Sequence, residues 1–545
     1  MRKALRPVLF SGMLLLATYL RVVGLTWGLN SGYGIDRNFQ PDEFLSLRGV
    51  LEVDLLTGDI KAPAAYFEGT FNYYFWAVPQ AVLKIVANKR GLPADSTNPN
   101  VYSDLLLICR WMSVLFDLCT IIVVFLAIRE ATQSFYPSLL GAFVYAILPM
   151  QVIYSHFMRP HVLSNLFCSL VLWLSLKVVR SRKWWLFLIL GIISGLAAAT
   201  RFPVGVIVTI PFLFVIFAPR EGSTLGVQRL WQALRYLLSG PVWLIALGFV
   251  CGLFVGHPML FVDTPTVIAV LSSDTLKWVR RNEFAPTRLL DLSEAWKYLS
   301  FLIPYGMYPL LWIMPYSAII YLAFRRSLHV FTFPIVIFSL LYLYPMAKAY
   351  VGPYWARAVM PLFPGFCVLI GLACSDLLRS LREQRIGTVV LTVALLLFIA
   401  PSVVFDVAYG RAMQQKDARS ALSEDLQSLI GESPATIGIS RFGPYFYTVM
   451  PAAVPLKNEK VKVQVQDPSE KADFFLSGFS GEVAPAVINA FGRQVEAERK
   501  FKYVQTYRVP VSIFGHEFRL THFPQDMTYP FPTILLFRSN VPNVN

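Results

Sequence analysis

Asp42 and Glu43 stand side by side after Gln40-Pro41, within the run Asp36-Arg37-Asn38-Phe39-Gln40-Pro41-Asp42-Glu43-Phe44. A carboxylate in a water-facing loop can take the proton of a hydroxyl acceptor. Pro followed by two acids is also ordinary helix-start chemistry, because Pro fits the first helical position and the N-terminal dipole favours negative charge. Local sequence leaves both readings open. Groups able to hold a phosphate leaving group recur later in the chain. Arg159 and His161 fall in Tyr154-Ser155-His156-Phe157-Met158-Arg159-Pro160-His161, Arg201 in Thr200-Arg201-Phe202-Pro203, and Lys348, Tyr350, Tyr354 and Arg357 follow one another closely. Arg and Lys stabilise phosphate charge through charge-assisted hydrogen bonds. Each taken alone also reads as a snorkelling or loop residue.

Other chemistries find less support. His156, His161 and His257 are too few and too widely placed to define a metal site; no cofactor is expected, with a divalent metal left as the lesser alternative. No P-loop, Gly-rich phosphate loop or GxSxG elbow is present, which argues against an ATP-driven pump and a serine hydrolase. The six cysteines (Cys109, Cys119, Cys168, Cys251, Cys367 and Cys374) lie in or beside apolar stretches without zinc spacing, and read as small buried hydrophobes.

The elements that must position these residues follow from hydropathy. The chain has 545 residues, of which 56% are hydrophobic and 15% charged, with a mean hydropathy of +0.54. A soluble domain carries about 25% charged residues, so much of this chain faces lipid. Stretches long enough to span recur at roughly 7–28, 106–128, 136–153, 161–179, 184–200, 203–218, 237–256, 300–323, 329–346, 356–377 and 387–407. That gives a polytopic, mainly α bundle of about eleven crossings. The net charge of +15 comes from Lys/Arg clusters between these stretches, which is a topology signal and excludes a nucleic-acid stripe. The positive-inside rule puts the N-terminus in the cytoplasm, with the first crossing uncleaved. It counts consistently when 71–88 lies on the external face instead of spanning. The external segments are then a first loop, 29–105, together with 154–160, 201–202, 257–299, 347–355 and everything after about 408. Asp42, Arg159, Arg201, Lys348, Tyr354 and Arg357 therefore share one membrane face. Arg21 and Asp117 lie inside crossings, where helix pairing or a polar cavity is the simpler account.

Residues 1–409 read as the membrane domain and 410–545 as an external α/β domain. In the latter, Lys416–Ile430 and Glu482–Phe491 have helical patterns, and Thr436–Ser440, Val461–Gln466, Ala472–Ser477, Tyr503–Val509 and Thr533–Arg538 read as strands.

Taken in order, four segments resemble the GT-C superfamily of polyprenyl-phosphate-sugar-dependent glycosyltransferases, of the protein O-mannosyltransferase and lipid A aminoarabinose transferase type. They are LRVVGLTWGL followed by QPDEF, then YSHFMRPHVL, GLAAATRFP and KAYVGPYWARAVMPLFP. The closing PTILLFRS is similar to the end of the appended domain of bacterial members. The resemblance implies a sugar donor on a polyprenyl phosphate in the outer leaflet of the cell (inner) membrane, and a lipid, glycan or protein acceptor. It implies Asp42 as the base of an inverting transfer of a hexosyl or pentosyl group, with Glu43 in support. Arg201, Lys348 and Arg357 would hold the donor phosphate, and Arg159, His161 and Tyr354 would complete the binding site. The chain departs from the pattern in carrying His161 where many relatives have an acid, and GTFNYY (with Tyr73 and Tyr74) for a Pro-Pro-Leu-Tyr-Tyr-like segment. A polytopic transporter or lipid flippase is the alternative class, but no internal repeat of the kind such proteins often show is visible.

Overall fold

The computed structural model describes residues 2–29, 40–89, 99–181, 183–217, 240–281, 296–349, 355–381, 384–440, 458, 460–466, 472–479, 485–499, 501–521 and 523–540. The chain is mainly helical, with a sheet near its C-terminus. Its principal helices are α1 (Arg2–Val22), α2 (Pro41–Glu52), α3 (Phe71–Lys89), α4 (Pro99–Thr132), α5 (Phe135–Ala146), α6 (Pro149–Ser155), α7 (Pro160–Ser181), α8 (Trp184–Thr200), α9 (Thr209–Phe217), α10 (Gly240–Gly256), α11 (Thr264–Arg281), α12 (Ile313–Ala323), α13 (His329–Ala349), α14 (Phe363–Ser380), α15 (Arg385–Met413), α16 (Ala418–Ile430) and α17 (Pro485–Arg499). Among the described residues, five helical segments are long and apolar enough to cross a membrane. They become six when α5 and α6, bent by 59° at the break before Pro149, count as one. Five shorter apolar helices coincide with the remaining expected stretches, and α3 falls outside the set. Within 300–323 the helix is interrupted by turns at 307–312, so only α12 is a regular apolar helix there. Broad apolar faces stay uncovered, as on α15, where Ile386, Val389, Val390, Leu396 and Leu397 are all exposed. In water such a face would aggregate; in a bilayer it meets lipid.

The structure divides into two compact units, one of 1–22, 46–82 and 109–406, the other of 23–45, 83–108 and 407–545. In the first, α8 and α10 approach through two small-residue stripes. A Cβ on Gly191 or Gly195 would run into the backbone of α10 at Ile245 and Phe249, and one on Gly248 or Gly252 into α8 at Leu188 and Ile192. Both pairs are GxxxG steps, the spacing that lets membrane helices touch backbone to backbone. Arg21 of α1 donates to Asp117 of α4 at 2.6 Å, and both side chains are fully buried. Arg21 also donates to the carbonyl of Ala146 at 2.8 Å, and Tyr145 donates to Asp117 at 3.2 Å. These intramembrane charges therefore pair three helices.

In the second unit, a mixed sheet of strands β1 (Ala435–Ser440), β2 (Val461–Gln466), β3 (Phe474–Phe479), β4 (Phe501–Tyr507) and β7 (Thr533–Ser539) has the order β2-β1-β3-β7-β4. A two-stranded hairpin, β5 (Ser512–Ile513) with β6 (His516–Glu517), stands apart from it. β1 pairs in parallel with β2 and β3, whereas β7 runs antiparallel to β3 and β4. Strand alternation sorts the apolar side chains to two faces. Phe474, Leu476, Ile534 and Leu536 meet Leu422, Leu426 and Ile430 of α16, and Phe475, Leu535 and Phe537 meet Val495 of α17. Residues 23–28 join this unit through Trp27. Its indole donates to Asp417 at 3.1 Å, and its ring lies 5.3 Å from the guanidinium of Arg419, itself doubly bonded to Asp417.

Candidate functional site

Proline starts the local architecture. Pro149 and Pro160 occupy the first positions of α6 and α7, so the chain turns at 156–159 and delivers Arg159 and His161 from the junction. Arg159 is almost wholly buried. It donates through Nη1 to Ser46 Oγ at 2.8 Å and through Nη2 to Glu68 Oε1 at 2.6 Å. The buried Tyr73 hydroxyl donates to the other oxygen of Glu68 at 3.0 Å.

The segment carrying Glu68 is stitched in place. Its carbonyl accepts from the amide of Phe202 at 3.2 Å, and Thr70 Oγ1 donates to the carbonyl of Gly256 at 2.8 Å. Between them Gly69 has φ +125°, and a Cβ there would strike the carbonyl of Ala199. Only glycine fits this close approach.

Arg201 leaves the C-terminal end of α8, 7% exposed, and His161 is 1% exposed. Among the described residues, Arg201 Nη1 and both ring nitrogens of His161 are buried without a hydrogen-bond partner. Arg201, Arg159 and Arg357 are the charges that act on the His161 ring. The ring packs 4.9 Å from that of Tyr154, whose hydroxyl accepts from Arg357 Nη1 at 3.2 Å, and Arg357 lies 4.2 Å from the centroid of Trp355. The charges of three guanidinium groups thus reach one imidazole, and Glu68 pairs with one of them, Arg159. Buried polar atoms left unbonded are costly. This arrangement favours an anion with several acceptor oxygens, such as a phosphate diester.

Nearby, His257 stacks on Phe202 with ring centroids 5.5 Å apart and lies 5.5 Å from the Tyr66 ring. Burial pushes its imidazole down to about 4. His156 Nδ1 bonds the Val152 carbonyl at 2.7 Å, a local helix contact. Among the described residues no group of three or more His, Cys, Asp or Glu is placed to hold a metal ion.

Asp42 and Glu43 lie in the first turn of α2. Gln40 caps this helix, its side-chain oxygen accepting from the Glu43 amide at 2.8 Å. Glu43 is fully buried and Asp42 half-buried, so Asp42 is the more open of the two carboxylates. The helix-start reading and the presence of an accessible acid thus hold together. Lys348 belongs to the last turn of α13, but its side chain, like Tyr354, lies outside the described residues. The structure therefore brings together Arg159, His161, Arg201 and Arg357. Glu68 and Ser46, which had no sequence signal of their own, join them as partners of Arg159. Glu68 directly precedes the GTFNYY segment, four residues before Asn72.

Comparison with known proteins bears on this geometry. Residues 101–245 match the family described as dolichyl-phosphate-mannose-protein mannosyltransferase. That span carries Arg159, His161 and Arg201 but ends before Arg357 and begins after Asp42. The match supports the GT-C superfamily for this chain, and with it a membrane glycosyltransferase. The chain is also similar to the Archaeoglobus fulgidus oligosaccharyltransferase, solved with Zn and sulfate, at 14% identity and a TM-score of 0.47 over 86% of this chain and 67% of that one. It is similar to ArnT from Cupriavidus metallidurans, in the apo state at 15% identity and a TM-score of 0.41, and bound to undecaprenyl phosphate at 15% and 0.40, each over 98% of both chains. TM-scores below 0.5 add nothing to the argument about the site. No curated protein matches the sequence.

Proposed function

We propose that this protein transfers a hexosyl or pentosyl group from a polyprenyl-phosphate carrier to a lipid, glycan or protein acceptor at the external membrane face. Asp42 acts as general base. It takes the proton of the acceptor hydroxyl as that oxygen bonds the anomeric carbon and the bond from that carbon to the phosphate oxygen breaks, with inversion. The donor is a phosphodiester with one negative charge, and the departing polyprenyl phosphate carries one more. Catalysis therefore needs cations whose hold on the phosphate strengthens as the bond breaks. The observation that carries the reading is the buried group of Arg159, Arg201 and His161 with the half-buried Arg357 beside it, in which Arg201 Nη1 and both His161 nitrogens are unbonded among the described residues. Glu43 orients the base, and Lys348 and Tyr354 complete the donor site. The reaction as written consumes no nucleotide and needs no cofactor. In this reading the N-terminus is cytoplasmic and the sheet-bearing domain external.

The test is Asp42→Asn in membranes supplied with polyprenyl-phosphate sugars. Loss of a positioned base lowers the transfer rate by roughly 10²–10⁴-fold. Transfer at the unsubstituted rate would remove Asp42 from the mechanism.

A further inference from the structure

The end of the helical bundle that carries the N-terminus has an open groove of about 440 Å³, lined by Arg6, Pro7, Phe10, Phe125, Arg129 and Phe135. Three helices build it: α1 at its start, α4 at its end and α5 at its first residue. The wall is aromatic. Phe10 meets Phe125 edge-on at 4.9 Å between centroids, and Phe125 meets Phe135 at 5.6 Å. The Arg6 guanidinium lies 5.6 Å from the centre of the Phe135 ring. No acid belongs to the lining. Among the described residues neither Arg6 nor Arg129 has a carboxylate partner.

Depth and chemistry name the occupant. The apolar spans of α1 and α4 cover Leu5–Val22 and Ser103–Thr132, so both arginines sit at span ends, on the same side of the bilayer. That is the level of lipid headgroups, where basic side chains meet anionic lipid. A soluble phosphate would satisfy the cations and leave the half-buried rings of Phe10 and Phe135 facing water. A zwitterionic lipid brings a cation of its own, which the two guanidinium groups repel.

The geometry points to a binding site for an anionic phospholipid of the leaflet on the N-terminal side, independent of the sugar-transfer chemistry. Its phosphodiester lies between Arg6 and Arg129, and one acyl chain runs along Phe10, Phe125 and Phe135.

Native mass spectrometry of the full chain, released from nanodiscs of mixed phosphatidylglycerol and phosphatidylcholine, tests it. The expected result is retained phosphatidylglycerol at least about fivefold above phosphatidylcholine, falling to parity in Arg6→Gln/Arg129→Gln. Equal retention of both lipids by the unsubstituted protein, or an unchanged preference in the double variant, overturns the proposal. Displacement of the lipid by millimolar inorganic phosphate alone also overturns it, because the site would then be one for a soluble anion. Should the double variant not fold, a phosphatidylglycerol with a photoactivatable acyl chain decides the matter in the unsubstituted protein. Cross-links on peptides containing Phe10, Phe125 or Phe135 support the site, and cross-links confined to other helices refute it.

Discussion

Arg159 Nη2 and Glu68 Oε1 stand 2.6 Å apart, the first side chain 3% and the second 13% exposed. Removing one member of a buried pair strands the other, at a cost of about 3–5 kcal/mol. Glu68→Gln is therefore expected to lower the unfolding temperature in detergent markedly, and Glu68→Gln/Arg159→Gln to recover part of the loss. A double-mutant cycle showing no coupling between the two positions would refute the structural role assigned to this pair.

Arg201 differs from Arg159 in having no ion pair among the described residues, and its buried Nη1 meets no acceptor there. If that nitrogen waits for donor phosphate, its contribution appears on substrate binding. A hydrogen bond to a charged group is worth about 1.5–3 kcal/mol, so Arg201→Ala should lower kcat/KM for the polyprenyl-phosphate sugar by roughly 10–150-fold with little change in thermal stability. Arg201→Lys keeps the charge without the planar fork and should recover only part of the activity. Steady-state kinetics with varied donor is the check, and a stability loss without a kinetic effect would count against the assignment.

Some of this was open to reading in the sequence because the physics is local. The α/β domain shows through strand alternation. The strand predicted at Val461–Gln466 coincides with β2, and those predicted at Thr436–Ser440 and Thr533–Arg538 match β1 and β7 to within one residue. The apolar stretches show through composition, although the run 300–323 conceals turns at 307–312 that a hydropathy window averages away. What sequence could not give was partnership. Glu68 is one acid in a loop until Gly69, Thr70 and Phe202 are seen to fix that loop against α8 and α10. Arg21 and Asp117, read as either a helix pair or a polar cavity, proved a pair, a choice settled by a contact 96 positions apart in the chain. Trp27 meets Asp417 across 390 positions of the chain, and no periodicity reports that.

The glycine stripes of α8 and α10 were a legible signal, in the spacing Gly191-xxx-Gly195 and Gly248-xxx-Gly252. They lead to a direct comparison on one helix. Gly252→Val inserts atoms where Ile192 backbone already sits, whereas a Cβ at Gly240 meets nothing within 4 Å. Overpacking costs about 1–3 kcal/mol where neighbours can shift, and here the neighbour is backbone. Gly252→Val should therefore reduce both folded yield and unfolding temperature, while Gly240→Ala changes neither. Equal behaviour of the two variants in fluorescence-detected size-exclusion and thermal ramps would show that α8 and α10 do not touch as described.

His257 supplies the pH dependence. It sits in the turn after α10, fully buried, with Phe202 stacked on it, and burial brings its imidazole down to about 4. In the unfolded chain a histidine titrates near 6.5. Between those values the unfolded state holds a proton that the folded state refuses, so stability falls as pH falls. The contribution is complete above about pH 6.5, declines by roughly 1.4 kcal/mol per pH unit, and ends near pH 4 with a total loss of about 3 kcal/mol. His257→Phe keeps a ring against Phe202 and has no proton to gain. Its unfolding temperature should therefore drop less than that of the unsubstituted protein when detergent-solubilised samples are taken from pH 7 to pH 4.5. Parallel pH profiles for the two proteins would mean that His257 is protonated in the folded state and bonded by an acceptor supplied from elsewhere.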